Sequence, residues 1–437
     1  MQILDWEQLD EARRVVALQR PRQDARADID ALARSIIREV RADGDAALRR
    51  FAARFDRAEL DDLRVGAAEF ADATTRLTPQ QIAALEAAID NVRRFHEAQM
   101  PGPVSLEVMP GVVCERIVRP IPAVGLYVPA GSAPLPSTVI MLAVPAAIVG
   151  CPQRVLCTPP GQDGKANAAV LVAARLCGID TVYKAGGAQA VAAMAYGTGS
   201  IPKVDKIFGP GTALTTAAKQ IVAADPDGAA CDLPAGPSEV LVIADDGARA
   251  DFVAADLLAQ AEHDTRAQAL LVTTSARLAA DTAAALARQT SQLSRGAILE
   301  ESTRNCRCIV VKDLRSAVEV SNAYAPEHLI IQTREPRALL AEVINAGSVF
   351  LGPWSPEPMG DYCSGTNHVL PTYGYARAYS GLSVADFMKR ITVQELSAAG
   401  LAALGPVAET IASLEGLDAH AHAVTIRLSA LRAGDAT

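Results

Sequence analysis

In the stretch FVAADLLAQAEHD, Phe252 to Asp264, side chains able to bind a metal ion or move a proton fall at a helical repeat. Asp256, Gln260 and His263 occupy i, i+4 and i+7. Val253, Leu257, Leu258 and Ala261 form the apolar face of the same predicted helix. A solvated stripe ordinarily takes Lys and Glu, which snorkel and favour helix, so three short polar groups point to a site. A histidine near a helix end is also favoured by the dipole, however, and Gln-x-x-His alone is a weak motif. Other candidates lie downstream, because five of the six histidines stand at 263, 328, 368, 420 and 422. Glu327 and His328, in AYAPEHLII, set an acid beside an imidazole just ahead of a predicted strand, so that one group can activate water while the other moves a proton. The long, turn-rich stretch EPMGDYCSGTNHVLPT carries Asp361, a hard oxygen ligand, with Asn367 and His368; such loops in compact domains are usually functional. Glu415 and His420 sit at the junction of two predicted C-terminal helices, with His422 turned elsewhere. Gln260, His263, Asp361 and His420 would together offer two imidazoles, a carboxylate and an amide, a mix suited to zinc or manganese, although spacing alone does not select that set.

Three glycine-rich turns follow predicted strands: Gly131 in YVPAGS, Gly186 and Gly187 in KAGGAQ, and Gly209-Pro210-Gly211 in FGPGT. Each would let backbone amides approach a phosphate at a helix start. None completes G-x-G-x-x-G, so the three together are compatible with a dinucleotide and with plain turn chemistry alike.

The elements that must position these groups read as α/β. Residues 1–22 are expected to form a helical arm, and Asp24 to about Phe95 a helical stretch in which Thr78-Pro79 caps QQIAALEAAIDNVRRF. VSLEVM and VVCERIVRPI read as a strand pair turning at Pro110-Gly111. From about residue 122, AVGLYV, RVLCTP, TVYKA and KVDKIF alternate with Ala-rich helices. EVLVIA, QALLVTT, CRCIVV, HLIIQT and GSVFLG follow, with helices at about 250–263, 276–290, 313–322 and 336–345. Such alternation predicts two doubly wound parallel sheets whose ligands lie beyond the carboxyl ends of the strands. From Ser383 onward no strand is expected, only helices.

The 437 residues, half of them apolar, suffice for two or more domains. A net charge of −9 argues against nucleic acid or an anionic membrane as the main partner. No run of eighteen apolar residues occurs, and the acid-bearing N-terminus is unlike a signal peptide, so a cytoplasmic location is expected. Eight cysteines without a Cys-x-x-Cys pair suggest neither a disulfide framework nor a thiolate zinc site.

The ordered series YVPAG, GGAQA, FGPG, DLPAGPSEVLVIAD, DLLAQAEH, PEHLIIQT, AGSVFLG, GDYCSGTNHVLPTYGYA, DFMKR and EGLDAH spans nearly the whole chain and resembles the histidinol dehydrogenase family. The resemblance implies oxidation of L-histidinol through L-histidinal to L-histidine with NAD, one zinc ion per site, and a homodimer with shared active sites. It implies two incomplete Rossmann-like, aldehyde-dehydrogenase-like domains, the first from 23–125 with 239–382 and the second, on the nucleotide side, from 126–238. To these it adds the N-terminal arm and a C-terminal helical domain, 383–437, reaching the partner. Carried over by position, the metal ligands would be Gln260, His263, Asp361 and, from the partner, His420. Glu327 and His328 match the acid–base pair. Ser238 and Glu415 match substrate-contacting positions, as do His328 and the four ligands. Tyr127, Gln189 and position 212 match NAD contacts; Thr212 replaces the usual Asn, and its hydroxyl reaches less far than an amide. Three rival readings are a dehydrogenase of another polar alcohol, a metal-dependent hydrolase, and a thiol mechanism through Cys363.

Overall fold

The computed structural model describes residues 1–21, 26–130, 133–234 and 236–434. In chain order, β1 (Gln2–Asp5) precedes the helix Glu11–Ala17, and a series of helices then runs to Glu97. A hairpin follows, β2 (Val104–Met109) and β3 (Val112–Pro120). The next strands, β4 (Ala123–Tyr127), β5 (Gln153–Thr158), β6 (Val182–Lys184), β7 (Lys206–Phe208) and β8 (Ala230–Cys231), form one sheet. β9 (Glu239–Ala244), β10 (Gln268–Thr273), β11 (Arg307–Val310), β12 (His328–Gln332) and β13 (Ser348–Leu351) enter a second, and β14 (Met388–Leu396) precedes two final helices. Two compact units result: Met1–Gln99 with Ile121–Phe387, and Met100–Pro120 with Met388–Thr437.

Both large sheets lie in the first unit and are parallel throughout. Their orders, β6-β5-β4-β7-β8 and β1-β11-β10-β9-β12-β13, each reverse direction once, between β4 and β7 and between β9 and β12. That is the doubly wound pattern, and β9, β10 and β12 are buried along their whole length because helices cover both faces. The helices after β9 and β10 run Ala250–Ala261 and Ala276–Thr290, and the Thr78 capping box with Pro79 at N1 opens the helix Pro79–Glu97.

The expected boundaries shift in four places. The N-terminal arm is not all helix: Gln2–Asp5 pairs in parallel with the free edge of β11, from Gln2 opposite Arg307 to Asp5 opposite Val310, which satisfies backbone groups an edge leaves open. The helices between 26 and 97 do not cover the sheet of 239–382. Ile36, Ile37 and Val40 pack with Val155 and Tyr183, and Ile89 and Val92 with Val124 and Leu126, so their apolar faces close the five-stranded sheet. The hairpin of β2 and β3 belongs to the second unit, where β14 pairs with β3 from Met388 opposite Pro120 to Leu396 opposite Val112. The C-terminal segment therefore holds a nine-residue strand; its mostly exposed, charge-rich sequence has no buried alternation to reveal it. Residues 383–387 stay with the first unit, where Phe387 stacks on Phe208 at 4.0 Å. Among the described residues, no helix is long and apolar enough to cross a membrane.

Candidate active site

The strand ends bring the candidate acid–base residues into place. His328 is the first residue of β12 and Glu239 the first of β9, and the two strands run side by side with His328 opposite Val240. The candidate residues thus gather at the amino edge of the six-stranded sheet, against the expectation of its carboxyl edge. The helix after β9 runs antiparallel to the strand, so its last turn returns Gln260, and then His263, to the edge where the strands begin. Asp256, one turn earlier, takes no part: its carboxylate accepts from Gln332 Nε2 and is buried. Glu357 and Asp361 lie four residues apart on the short helix Glu357–Tyr362 and so share one face. His368 Nδ1 bonds the Asp361 carbonyl oxygen at 2.8 Å, and Asn367 donates to the Met141 carbonyl oxygen at 2.8 Å. These two polar residues fasten the loop that presents Asp361. Cys363 ends that helix and packs against the apolar core, which gives a thiol mechanism no support.

Glu327 and His328 are both buried, and both are tied to the backbone of Glu239. The Glu239 N–H donates to Glu327 Oε2 at 2.9 Å, and the Glu239 carbonyl oxygen lies 3.2 Å from His328 Nδ1. A carbonyl only accepts, so Nδ1 carries a hydrogen and Nε2 is the atom whose protonation changes. Nε2 is buried, has no hydrogen-bond partner among the described residues, and stands 3.5 Å from Asp361 Oδ1. Desolvation opposes charge on this imidazole, yet Glu357, Glu327 and Asp361 together outweigh it and raise its pKa well above the ordinary value. Desolvation also pushes Glu327 up to about 8, against the pull of His328 and the Glu239 N–H. A carboxyl poised there can exchange a proton near neutral pH.

A metal ion fits the same cluster. Ligand atoms of His263, Glu357 and Asp361 lie within 4.8 Å of one another. The Gln260 amide faces the cluster with a preferred sense: turned with its nitrogen toward Glu357 Oε1 (3.1 Å) and the Glu239 carbonyl oxygen (3.2 Å), both acceptors, it leaves its oxygen toward His263. His263 is solvent-exposed as a residue, yet enough protein surrounds its ring for desolvation to lower its pKa and favour the neutral, ligating form. One amide oxygen, one neutral imidazole and carboxylates suit a divalent ion. Glu357 is the member that sequence reasoning missed; its only signal was the four-residue spacing to Asp361.

The nucleotide candidates occupy the other sheet. Tyr127 ends β4, and its buried hydroxyl accepts the Gly187 N–H at 2.9 Å, at the first residue of the helix Gly187–Tyr196. Desolvation raises the Tyr127 pKa to about 12, so this phenol stays neutral. Gln189 is buried in that helix's first turn. Gly209 has φ +126°, and a Cβ there would run into the Tyr127 carbonyl oxygen, so only glycine allows this close approach beside the β4–β7 reversal. Thr212 is exposed, and its hydroxyl accepts from the Thr215 N–H as the N-cap of the helix Ala213–Ala223. Its hydroxyl is thus partly engaged within its own turn. Gly131 lies outside the described residues. Ser238 directly precedes Glu239 at the amino edge, whereas Glu415 and His420 belong to the second unit, where both are exposed.

A family model described as histidinol dehydrogenase matches residues 18–428. A histidinol dehydrogenase of Vibrio vulnificus (strain CMCP6) is 54% identical over 433 residues, covering 99% of this chain and 100% of the relative. One of Xanthomonas axonopodis pv. citri is 55% identical over 428 residues, covering 98% and 99%. The crystal structure of histidinol dehydrogenase from Elizabethkingia anophelis matches with a TM-score of 0.95 at 44% identity over 99% of each chain. Agreement of this depth extends over nearly the whole chain, and by it the chain belongs to the histidinol dehydrogenase family.

Proposed function

We propose that the protein oxidises L-histidinol through L-histidinal to L-histidine with NAD, and that the cluster around His328 is where it does so. The observation that carries the reading is the buried His328 imidazole beside a metal-capable group: its Nδ1 lies 3.7 Å from Glu327 Oε2, and its Nε2, 3.5 Å from Asp361 Oδ1, has no hydrogen-bond partner among the described residues. A zinc ion held by Gln260, His263 and Asp361, with His420 of the partner subunit, would supply a positive anchor for the substrate's amine and imidazole, and the nicotinamide a hydride acceptor.

The chain's own groups account for the protons. In the neutral form that a cation bound beside Asp361 would favour, His328 Nε2 takes the hydroxyl proton as the carbinol carbon gives up its first hydride, and the Glu239 carbonyl holds Nδ1–H so that Nε2 faces the site. Glu327, fixed by the Glu239 N–H, removes a proton from the water that adds to the aldehyde, while His328 Nε2 returns its proton to the aldehyde oxygen, giving the diol. His328 then takes a diol proton as the second hydride leaves, and that water contributes the new carboxylate oxygen. Ser238 and Glu415 are the substrate contacts in this reading, and Tyr127, Gln189 and Thr212 line the nucleotide side.

The second unit's surface supports a homodimer with shared sites. Val407, Ile411, Leu414 and Ile426 are all exposed on its two helices, beside the exposed His420. Its core is small, with Ala412 and Leu428 the buried apolar side chains of those helices, and thin cores usually need a partner.

Counting NADH formed per histidine released from L-histidinol tests the reaction. About two are expected, since alcohol to acid removes four electrons in hydride pairs. A ratio of one, or histidinol consumption without NADH, would overturn it.

A further inference from the structure

The backbone ahead of the acid–base pair is strained, and a single guanidinium grips it. Ala325, between the helix Leu314–Tyr324 and Pro326, has φ +55° and ψ +68°, a left-handed conformation that L side chains rarely adopt. Arg20 Nη2 donates to the carbonyl oxygens of Tyr324 at 2.8 Å and Ala325 at 3.3 Å. The same guanidinium forks onto the Glu239 carboxylate, Nε to Oε2 at 2.6 Å and Nη2 to Oε1 at 3.0 Å. It lies 4.0 Å from the Tyr324 ring centroid, and the Tyr324 hydroxyl donates to Glu239 Oε2 at 2.7 Å. Arg20 is 219 residues from Glu239 in sequence and is delivered by the N-terminal arm. Arg307 fastens that arm through the carbonyl oxygens of Val16 and Ala17, and Gln268 through that of Gln19.

Both ends of this clamp lead to the same two groups. Glu239, whose side chain Arg20 holds, uses its main chain to bind Glu327 and His328. The Tyr324–Ala325 turn, which Arg20 also holds, is the peptide that leads through Pro326 into them. We propose that Arg20 is a positioning residue: acting through Glu239 and the strained Ala325 turn, it keeps Glu327 and His328 in register for proton transfer. Gln260, His263 and Asp361 stand on other elements, so losing the clamp leaves the metal ligands in place.

The inference rests on the proposed oxidation, and its test carries one readout that needs no turnover. In the full-length enzyme, Arg20→Ala is expected to lower kcat roughly 10–100-fold, the scale of a small misplacement, while KM for L-histidinol and bound metal stay within about twofold. Hydrogen exchange should quicken at residues 325–328 and not in β5, whether or not the parent oxidises histidinol. Adding Ala325→Gly, which adopts the left-handed turn without strain, should recover much of the lost kcat. Arg20→Lys, which keeps the charge but not the fork, serves if Arg20→Ala does not fold, and should show the same losses in smaller measure. Parent-like kcat and exchange in the Arg20 variants, or a loss in kcat that Ala325→Gly leaves untouched, would overturn the proposal. Parent protein that fails to oxidise L-histidinol would instead remove the underlying reaction, and the exchange at 325–328 would still decide whether the clamp exists.

Discussion

Glu357 brings a carboxyl into a cluster that already contains Glu327 and Asp361, and its surroundings explain why it is tolerated. Burial pushes Glu357 up to about 8, with the His328 imidazole pulling the other way, so it need not carry a full charge beside its neighbours. Its Oε1 also receives the Gln260 amide nitrogen, which turns the amide oxygen to the metal side. In the proposed metal site, Glu357→Gln is expected to weaken metal binding by about 10–100-fold, the usual cost of losing an outer support. Titration against a competing chelator measures it, and an unchanged competition curve would leave Glu357 without that role. Position 212 shows the opposite case. Its hydroxyl is drawn into capping its own helix, so what it offers a nucleotide is the N-terminus of that helix as much as its side chain.

The helix Ala250–Ala261 does two jobs at different points along one stripe. Gln260 in its last turn, with His263 just beyond, serves the cluster, while Asp256 ties the helix to the end of β12 through Gln332. That tie is sensitive to pH. Burial lifts the Asp256 carboxyl from 3.8 up to about 7, with the Gln332 amide opposing. Below the unfolded value the group is neutral in both states and its contribution is fully present; as pH rises through 7, charging it in place removes stability. Asp256→Asn stays neutral throughout, and its new amide can donate to Gln332 Oε1, which has no partner among the described residues. The variant should therefore gain on the parent as pH rises, with a Tm advantage on the order of a few °C at pH 8 that fades toward pH 4. Equal differences at both pH values would show that Asp256 does not titrate in this range. Gly209, just past the carboxyl end of β7, lies beside the point where the strand order of the five-stranded sheet reverses.

At the scale of the molecule, the first unit carries the proposed acid–base pair and three of the proposed ligands, and the second presents the exposed His420 imidazole on helices with few buried apolar side chains. If sites are shared across a homodimer, mixing inactive His420→Asn with inactive Glu327→Gln chains regenerates one intact site per hybrid. Random pairing should then restore roughly a quarter of parental activity. Isolated hybrids with no activity would exclude sharing.

The sequence by itself determined the fold class, the helices and strands with strong periodicity, and the residues Gln260, His263, Glu327, His328 and Asp361 as candidates, because local patterns and ordered motifs carry that information. Tertiary structure decided what no local pattern contains. It gathered the candidates at the amino edge of a sheet, added Glu357 and the main chain of Glu239, and set β1 and β14 as strands through pairing with distant neighbours. It also assigned Asn367 and His368 to holding a loop. Apart from the His368–Asp361 bond, which spans seven residues, the deciding interactions join residues far apart in the chain, and only the folded backbone fixes the distance between them.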